Sequence, residues 1–99
     1  MKNYNVLFSP EAENETKEAY LWYQEKRPGL GNAFRESLRI KIESLKQNPK
    51  SASFVYKNVR SSRIKQFPFN IIYRISDSQI QIIAVFHHSR NPREWEKRI

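Results

Sequence analysis

The chain has 99 residues, of which 38% are hydrophobic and 13% aromatic, with no cysteine and a formal charge of +8 at pH 7. Without cysteine there can be no disulfide framework, thiolate zinc site or cysteine nucleophile, and the longest apolar run, residues 82–86, is too short to span a membrane. The length suits one domain over residues 1–99 with a single hydrophobic core. We therefore expect a cytoplasmic, single-domain protein without a secretory signal.

The positive charge is concentrated in the second half of the chain. Residues 1–49 contain eight Lys or Arg and seven Asp or Glu, a net charge of +1, whereas residues 50–99 contain ten and three, a net charge of +7. Such asymmetry points to a polyanionic partner, either nucleic acid or an acidic protein, although positive charge also serves solubility alone. Our hypothesis is that the cationic half forms a docking surface for an anionic ligand.

The first half of the sequence predicts one strand and two helices. A β-rich stretch over residues 4–8 is followed by Ser9 and Pro10, an N-cap and a first-turn proline that begin a helix reaching about Arg27. Residues 28–31, rich in proline and glycine, break the helical pattern. The second helix carries an apolar stripe that consists of Phe34, Leu38, Ile42 and Leu45. Two amphipathic helices joined by so short a loop predict an antiparallel helical hairpin.

After Pro49 the apolar period changes from that of a helix to that of a strand. Residues 51–57 form a connector that the pattern does not assign. Three strands are predicted, over residues 59–66, 70–75 and 79–87. The element order is therefore β-αα-βββ, and we predict an α+β fold in which the helical hairpin packs on one face of a twisted antiparallel sheet. A short C-terminal tail or helical turn follows the last strand.

Alternation along the last strand assigns its side chains to two faces. The face expected beneath the helices holds Ile80, Ile82, Ala84 and Phe86. The opposite face holds Gln81, Ile83, Val85 and His87. The adjacent His87 and His88 then point to opposite sides of the sheet and cannot chelate one ion together. Because the chain has no other His and no Cys, the sequence predicts no zinc site.

Basic side chains of the second half are the candidate functional residues. Arginine suits bidentate contacts with phosphate or carboxylate, and a histidine can act as a general acid or base near neutral pH. We assign target binding to residues expected to gather near the open face and the strand ends, namely Arg60, Arg63, Lys65, Arg74, His87, Arg90, Arg93 and Trp95. For phosphodiester cleavage the candidate catalytic residues are His87 and Arg60. There are two structural alternatives to these functional roles. The basic residues can form a solvated sheet face with no specific role, and Trp95 can anchor the C-terminus against the sheet.

Four segments, taken in order, resemble those of a known family. They are the motif Ser9-Pro10-Glu11-Ala12 after the first strand and residues 45–49, 59–75 and 85–95. The set resembles the ParE/RelE superfamily of toxins from type II toxin–antitoxin modules and covers essentially the whole chain. The resemblance implies a helical hairpin on a sheet of three or four antiparallel strands. It also implies a cognate antitoxin whose flexible C-terminal segment wraps the toxin and becomes ordered on binding.

The superfamily divides by target, and the resemblance favours one branch. RelE-like members cleave mRNA on the ribosome, whereas ParE-like members inhibit DNA gyrase without being nucleases. RelE-like cleavage relies on a strand arginine where this chain has Asn70, and often on a late tyrosine or histidine. No tyrosine follows Tyr73 here, whereas His87 and His88 are late histidines of the kind that some mRNA-cleaving relatives use. We therefore expect a ParE-like toxin that inhibits growth by binding DNA gyrase and needs no cofactor. The alternatives are a RelE-like ribosome-dependent mRNA endoribonuclease and a non-toxic relative that only binds a partner.

Overall fold

The computed structural model describes residues 3–99, which form one five-stranded sheet and three helices. In chain order the elements are β1 (Asn5–Phe8), α1 (Pro10–Lys26), α2 (Leu30–Gln47), β2 (Phe54–Tyr56), β3 (Val59–Arg63), β4 (Phe69–Ser76), β5 (Gln79–His87) and α3 (Arg93–Glu96). The strand order across the sheet is β1-β5-β4-β3-β2. All neighbouring pairs are antiparallel except β1 with β5, which is parallel. The α+β fold is thus confirmed, with two additions: a parallel pair at one edge, and β2 within the unassigned connector.

Local sequence signals explain where the two long helices begin and how they meet. The Ser9 hydroxyl accepts the backbone N–H of Ala12 at 3.1 Å and caps α1. Gly29 precedes α2 with φ of +91°, a left-handed conformation that favours glycine. A Cβ atom on Gly31 would lie 2.6 Å from the carbonyl oxygen of Tyr20, so glycine allows the helices to approach closely there. None of the helices within residues 3–99 has the length and apolar character needed to cross a membrane.

The larger core lies between the helical hairpin and the sheet, on what we call the helix side. Its centre is an aromatic cluster of Tyr23, Phe34, Phe67 and Phe69 with ring centroids 5.0–6.2 Å apart. Tyr73 of β4 is fully buried in the same core, and its hydroxyl donates to the carbonyl oxygen of Pro49 at 2.8 Å. Burial raises the pKa of Tyr73, so the phenol stays neutral and acts as a core residue.

A break in the β4–β5 register inserts one extra residue into β5. Ile72 pairs with Ala84, but the next residue of β4, Tyr73, pairs with Ile82. Ile83 is therefore left without an opposing residue, which is the geometry of a β-bulge. Because side chains alternate with a period of two, one extra residue transfers every later side chain of the strand to the opposite face.

The bulge corrects the face assignment that strict alternation gave for the end of β5. Ala84 and Phe86, expected beneath the helices, belong to the apolar cluster on the opposite face, whereas Val85 is buried in the helix-side core. His87 follows the same shift, since its ring lies edge-on to that of the core residue Phe69 with centroids 5.0 Å apart. Strict alternation was therefore wrong for these four residues of β5.

A smaller apolar cluster lies on the face away from the hairpin, which we call the open face. It consists of Val59, Ile72, Ile83, Ala84, Phe86 and Trp95, with Tyr56 and Ile99 packed against it. The Trp95 side chain in α3 is only 4% exposed and lies edge-on to the ring of Tyr56 at 6.0 Å. The C-terminal segment thus covers part of this face, and Trp95 anchors it.

Candidate functional site

A buried carboxylate on α1 holds the C-terminal segment against the end of β5. Glu15 is 9% exposed, and its Oε1 accepts the backbone N–H of Val85 at 3.1 Å and an N–H of Arg98 at 3.0 Å. Its Oε2 accepts from Arg98 at 2.8 Å and from Arg90 at 2.9 Å. Such charge-assisted, bidentate contacts are among the stronger hydrogen bonds in proteins. Sequence reasoning did not identify Arg98, because 83 residues separate it from Glu15.

Arg60 is engaged within the protein rather than free for a ligand. Its Nη1 donates to the carbonyl oxygens of Lys50 at 3.0 Å and Ala52 at 2.6 Å. Its guanidinium carbon lies 3.9 Å from the centroid of the Phe54 ring, a cation–π geometry. Arg60 therefore braces the connector between α2 and β2 against β3.

Two further predicted arginines also have acceptors within the protein. The Nε of Arg74 donates to the side-chain oxygen of Gln81 at 2.8 Å, near the β4–β5 turn. Arg90 donates to Glu15 and, at 3.2 Å, to Glu94. Carbonyl, amide and carboxylate oxygens of the protein thus accept hydrogen bonds from the guanidinium groups of Arg60, Arg74 and Arg90.

A polar network on the open face connects β3, β4 and the end of β5. The side chain of Asn70 donates to the Ser61 hydroxyl at 2.6 Å, and its Oδ1 lies 2.6 Å from Nε2 of His88. The Nη1 of Arg63 lies 3.5 Å from the other ring nitrogen, Nδ1 of His88. We call these four residues the His88 network. Because an amide oxygen only accepts, Nε2 of His88 carries the proton and Nδ1 is left as an acceptor.

The surroundings of His88 favour its neutral form. Partial burial of the ring, followed by the positive charges of Arg63 and His87, lowers the pKa of His88 below its ordinary value. An unprotonated Nδ1 next to an arginine can accept a hydrogen bond or a proton from a ligand. Sequence reasoning selected His87 rather than His88, since nothing in the local pattern indicates the contact with Asn70.

The His88 network borders a cleft of about 390 Å³ on the open face. The buried side chains of Ile72, Phe86 and Trp95 line it together with polar groups of the network. Three of the predicted target-binding cations, Arg63, Lys65 and Arg93, are exposed. Of the predicted target-binding residues, these three therefore retain cationic groups that face solvent.

His87 lies on the helix side, beside a cleft of about 540 Å³ between α1 and the end of β5. Its Nδ1 accepts the backbone N–H of Ser89 at 3.0 Å and lies 2.7 Å from the Ser89 hydroxyl. Trp22, which is 55% exposed, lines the same cleft. The imidazole of His87 is thus held locally by Ser89 on the helix side, although His87 also lines the open-face cleft beside His88.

The two candidate catalytic residues are not brought together. Arg60 pairs with Tyr73 across β3 and β4, whereas His87 pairs with Phe69 across β4 and β5. The two β4 partners are four residues apart, which corresponds to about 13 Å along the strand. A general base and a charge-stabilising arginine must reach the same phosphodiester group, and carbonyl oxygens already hold Arg60 in place.

Comparison with known proteins identifies a family. A model of the family described as "ParE toxin of type II toxin-antitoxin system, parDE" matches residues 6–92. Toxin ParE2 of Mycobacterium tuberculosis, from strains CDC 1551 / Oshkosh and ATCC 25618 / H37Rv, is 29% identical over 91 residues, which are 88% of this chain and 84% of that protein. The match therefore extends over most of the chain.

Solved structures share the fold at low sequence identity. A chain from the chromosomal ParDE system of P. aeruginosa matches with a TM-score of 0.75 and 16% identity, over 85% of this chain and 95% of that one. A chain of the RelBE2 toxin–antitoxin complex from Mycobacterium tuberculosis matches with a TM-score of 0.63 and 19% identity, over 91% and 97%. A chain of the YoeB dimer from Staphylococcus aureus matches with a TM-score of 0.59 and 19% identity, over 87% of this chain and 98% of that one. These likenesses show a common fold.

Proposed function

This chain belongs to the ParE toxin family of type II toxin–antitoxin systems, and we propose that it inhibits growth by binding DNA gyrase and is neutralised by a cognate antitoxin. The family match and the ParE2 relative favour the gyrase-binding branch. The observation that carries the proposal is the separation of His87 from Arg60. A protein whose two candidate nuclease residues lie about 13 Å apart along the sheet is better suited to binding a target than to cleaving one.

We place the target-binding surface on the open face, around Arg63, Lys65 and Arg93. These three cations are exposed, whereas the guanidinium groups of Arg60 and Arg90 have acceptors within the protein. Exposed cations steer association with an anionic partner, and an exposed guanidinium can make bidentate contacts with phosphate or carboxylate. The anionic partner in this proposal is gyrase or its complex with DNA.

The experiment is induced expression with plasmid supercoiling and transcript integrity followed together. The wild-type protein should block gyrase supercoiling and leave transcripts intact. Replacing Arg63, Lys65 and Arg93 by alanine should weaken inhibition by about tenfold or more, which corresponds to about 1.4 kcal/mol of binding free energy. Co-expression of a small acidic protein with a DNA-binding N-terminus, encoded beside this chain, should restore growth.

A matched control separates the open face from net charge. The variant that replaces Lys17, Arg27 and Arg39, all exposed on or beside the helices, loses the same three charges and should inhibit gyrase as well as the wild type. Equal effects of the two triple variants, or normal supercoiling under growth arrest, would contradict the proposal. Expression without growth arrest would identify a non-toxic relative.

The His88 network supports a second candidate, a ribosome-dependent endoribonuclease. In that reaction the unprotonated Nδ1 of His88 would take the proton of an mRNA 2′-hydroxyl. The 2′-oxygen would attack the adjacent phosphorus to form a 2′,3′-cyclic phosphate, and the bond to the 5′-oxygen would break. The 5′-oxygen would take a proton from water and leave as a hydroxyl, and Arg63 would stabilise the charge that develops on the phosphate oxygens. Transcript cleavage that is lost in His88→Ala and retained in the double variant His87→Ala, Arg60→Ala would establish this alternative. If instead only the double variant lost transcript cleavage, His87 and Arg60 would be the catalytic residues, as the sequence predicts.

A further inference from the structure

A further cleft, which we call the β1 cleft, lies where the open face meets the start of α1. Its volume is about 290 Å³, and none of the four residues of the His88 network lines it. Its polar lining includes the guanidinium groups of Arg74 and Arg98 and the carboxylate of Glu11. Its apolar walls come from β1, β5 and the first turn of α1, namely Leu7, Phe8, Pro10, Ile82 and Ile83. A concave apolar surface with a small number of placed polar groups is the usual form of a binding site.

The Arg74 side chain is held at this cleft by a short chain of amides. Leu7 of β1 and Arg74 of β4 both pair with Gln81 of β5, so the three residues form a row across the sheet. The Nε of Arg74 donates to Oε1 of Gln81 at 2.8 Å, and Nε2 of Gln81 donates to Oε1 of Gln79 at 3.1 Å. Within residues 3–99, Gln81 is the one hydrogen-bond acceptor of the Arg74 guanidinium. Its two Nη groups are therefore available as parallel donors to a ligand.

The other charged groups at the cleft limit the charge of its ligand. The Nη atoms of Arg98 donate to the Glu15 carboxylate and to the carbonyl oxygen of Ile83, so the charge of Arg98 is already compensated. Glu11 is exposed in the first turn of α1 and opposes a second negative charge. One available guanidinium beside one carboxylate favours a ligand with a single negative charge over a polyanion such as a nucleic acid strand.

Leu7 extends the apolar surface of the cleft to the outside of the protein. Its neighbours in β1, Val6 and Phe8, pack against the helix-side core, whereas Leu7 is in neither apolar cluster of residues 3–99 and is 55% exposed. A ligand that covers this side chain removes apolar area from water, which contributes to binding. At about 290 Å³ the cleft is at the lower end of the volumes of small-ligand sites. A ligand that fills it and also reaches Leu7 therefore continues beyond the cleft.

We propose that the β1 cleft binds the carboxyl terminus of a partner polypeptide whose last residue is apolar. The terminal carboxylate would accept two parallel hydrogen bonds from the Nη groups of Arg74. The last side chain would lie against the apolar walls of the cleft, and the residue before it would cover Leu7. An aspartate or glutamate within a chain has no apolar group beside its carboxylate and fits this combination less well. The proposal goes beyond gyrase inhibition, because the three cations assigned to the gyrase-binding surface do not line this cleft.

The test uses the full chain and an acetylated peptide of glycine, serine, glycine and leucine, in that order, with a free carboxyl end. Chemical shifts of the backbone amides and of the arginine side chains report where the peptide binds. We expect saturable shift changes at Nε of Arg74, in residues 7–11 and in residues 81–83. The same peptide with an amidated end has no negative charge and should bind at least about tenfold more weakly. A peptide that ends in serine keeps the carboxylate but loses apolar burial, and should bind about threefold more weakly.

Two matched pairs of variants locate the peptide on the protein. Arg74→Gln should weaken peptide binding by about tenfold or more, or about 1.4 kcal/mol, whereas Arg27→Gln, at an exposed position beside α1, loses the same charge and should bind as the wild type does. Leu7→Ser should weaken binding by about threefold, whereas Leu21→Ser, at a side chain that is 51% exposed on α1, should leave it unchanged. Thermal unfolding of all four variants shows that each is folded before binding is compared.

The results that would overturn the proposal are distinct from one another. Equal binding of the amidated peptide, or equal binding by Arg74→Gln and Arg27→Gln, would show that the terminal carboxylate does not bind Arg74. Isocaproate, the free acid that matches the leucine end, would become the ligand class if it bound as tightly as the peptide. A single-stranded DNA oligonucleotide that shifts Arg74 at a lower concentration than the peptide would assign the cleft to nucleic acid. The absence of saturable shifts up to about 10 mM peptide would exclude the site. None of these outcomes depends on whether gyrase is the target.

Discussion

Among residues 3–99, the helix side of the sheet buries fourteen residues in one apolar cluster, whereas the open face buries six, and one of those six belongs to the C-terminal segment. The helix side is built by helices that follow one another in the chain and cover the sheet together. The open face is completed by Trp95 and by the contacts of Arg90 and Arg98 with Glu15. A substitution in the helix-side core should therefore destabilise the whole fold. A substitution on the open face should mainly loosen the C-terminal segment.

The two sides also use different chemistry at β5. On the helix side, aromatic rings pack edge-to-face, and burial of apolar area supplies the free energy. At the free edge of β5, beyond its pairing with β1 over Gln79–Ile82, the Glu15 carboxylate takes the Val85 N–H that a further strand would otherwise bind. The Ser9 hydroxyl and the Arg98 guanidinium both donate to the carbonyl oxygen of Ile83. Side chains thus replace a strand partner here, and Glu15 also fixes the C-terminal segment.

The largest expected effect is the loss of the aromatic cluster on the helix side. Phe34 is fully buried and contacts three other aromatic rings, so Phe34→Ala should lower the free energy of unfolding by about 3–5 kcal/mol through lost burial and the cavity left behind. Chemical denaturation measures the change. The control Ile40→Ala, at an exposed position of the same helix, should change stability by less than about 0.5 kcal/mol. A similar decrease in the free energy of unfolding of both variants would show that the aromatic cluster is not the main source of core stability.

An intermediate effect is expected from the carboxylate that fixes the C-terminal segment. Glu15→Gln keeps the size but removes the charge that Arg90 and Arg98 share, and should cost about 1–3 kcal/mol. The loss stays below that of a fully buried ion pair, because the Arg90 and Arg98 side chains are 38% and 17% exposed and can regain water.

Hydrogen exchange shows where the Glu15→Gln effect is felt. Amides of residues 90–99 should exchange faster, while those of α2 should change little if the helix side is independent. Glu18→Gln, one turn further along α1 and exposed, serves as the control and should leave the C-terminal segment protected. Faster exchange spread evenly over the whole chain would mean that the two sides form one cooperative unit.

Most elements could be predicted from the sequence because their signals are local. The Ser9 cap and the break at Pro28 and Gly29 define α1 and α2, although α2 already begins at Leu30 within the segment that the sequence assigned to the loop. The apolar runs define β4 and β5. The β2 strand was not predicted, because only three residues form it and two of them are exposed, so no alternation is visible. The faces of β5 were wrong beyond Ile83, because a bulge is a property of two paired strands and leaves no mark on one of them.

The candidate site was predicted in composition and not in arrangement. The sequence identified the basic residues of the second half, but intramolecular acceptors far along the chain, such as Glu15 for Arg90, determine which of them stay exposed. Asn70 illustrates the limit most clearly. In the sequence it stands where a RelE-like arginine is expected, and in the fold its side-chain oxygen holds the imidazole of His88 at 2.6 Å.

The smallest expected effect is a pH dependence on the open face. Burial and the charges of Arg63 and His87 lower the pKa of His88 below its ordinary value of about 6.5. The folded protein therefore prefers the neutral ring, and this contribution is present above that pH and declines as the pH falls through the lowered pKa. Since His88 is exposed, the loss between pH 7.5 and 5.5 should stay below about 1 kcal/mol. Denaturation of the wild type and of His88→Gln at both pH values measures it. A pH-dependent decline that is as steep in His88→Gln as in the wild type, while His87→Gln abolishes it, would assign the effect to the helix side instead.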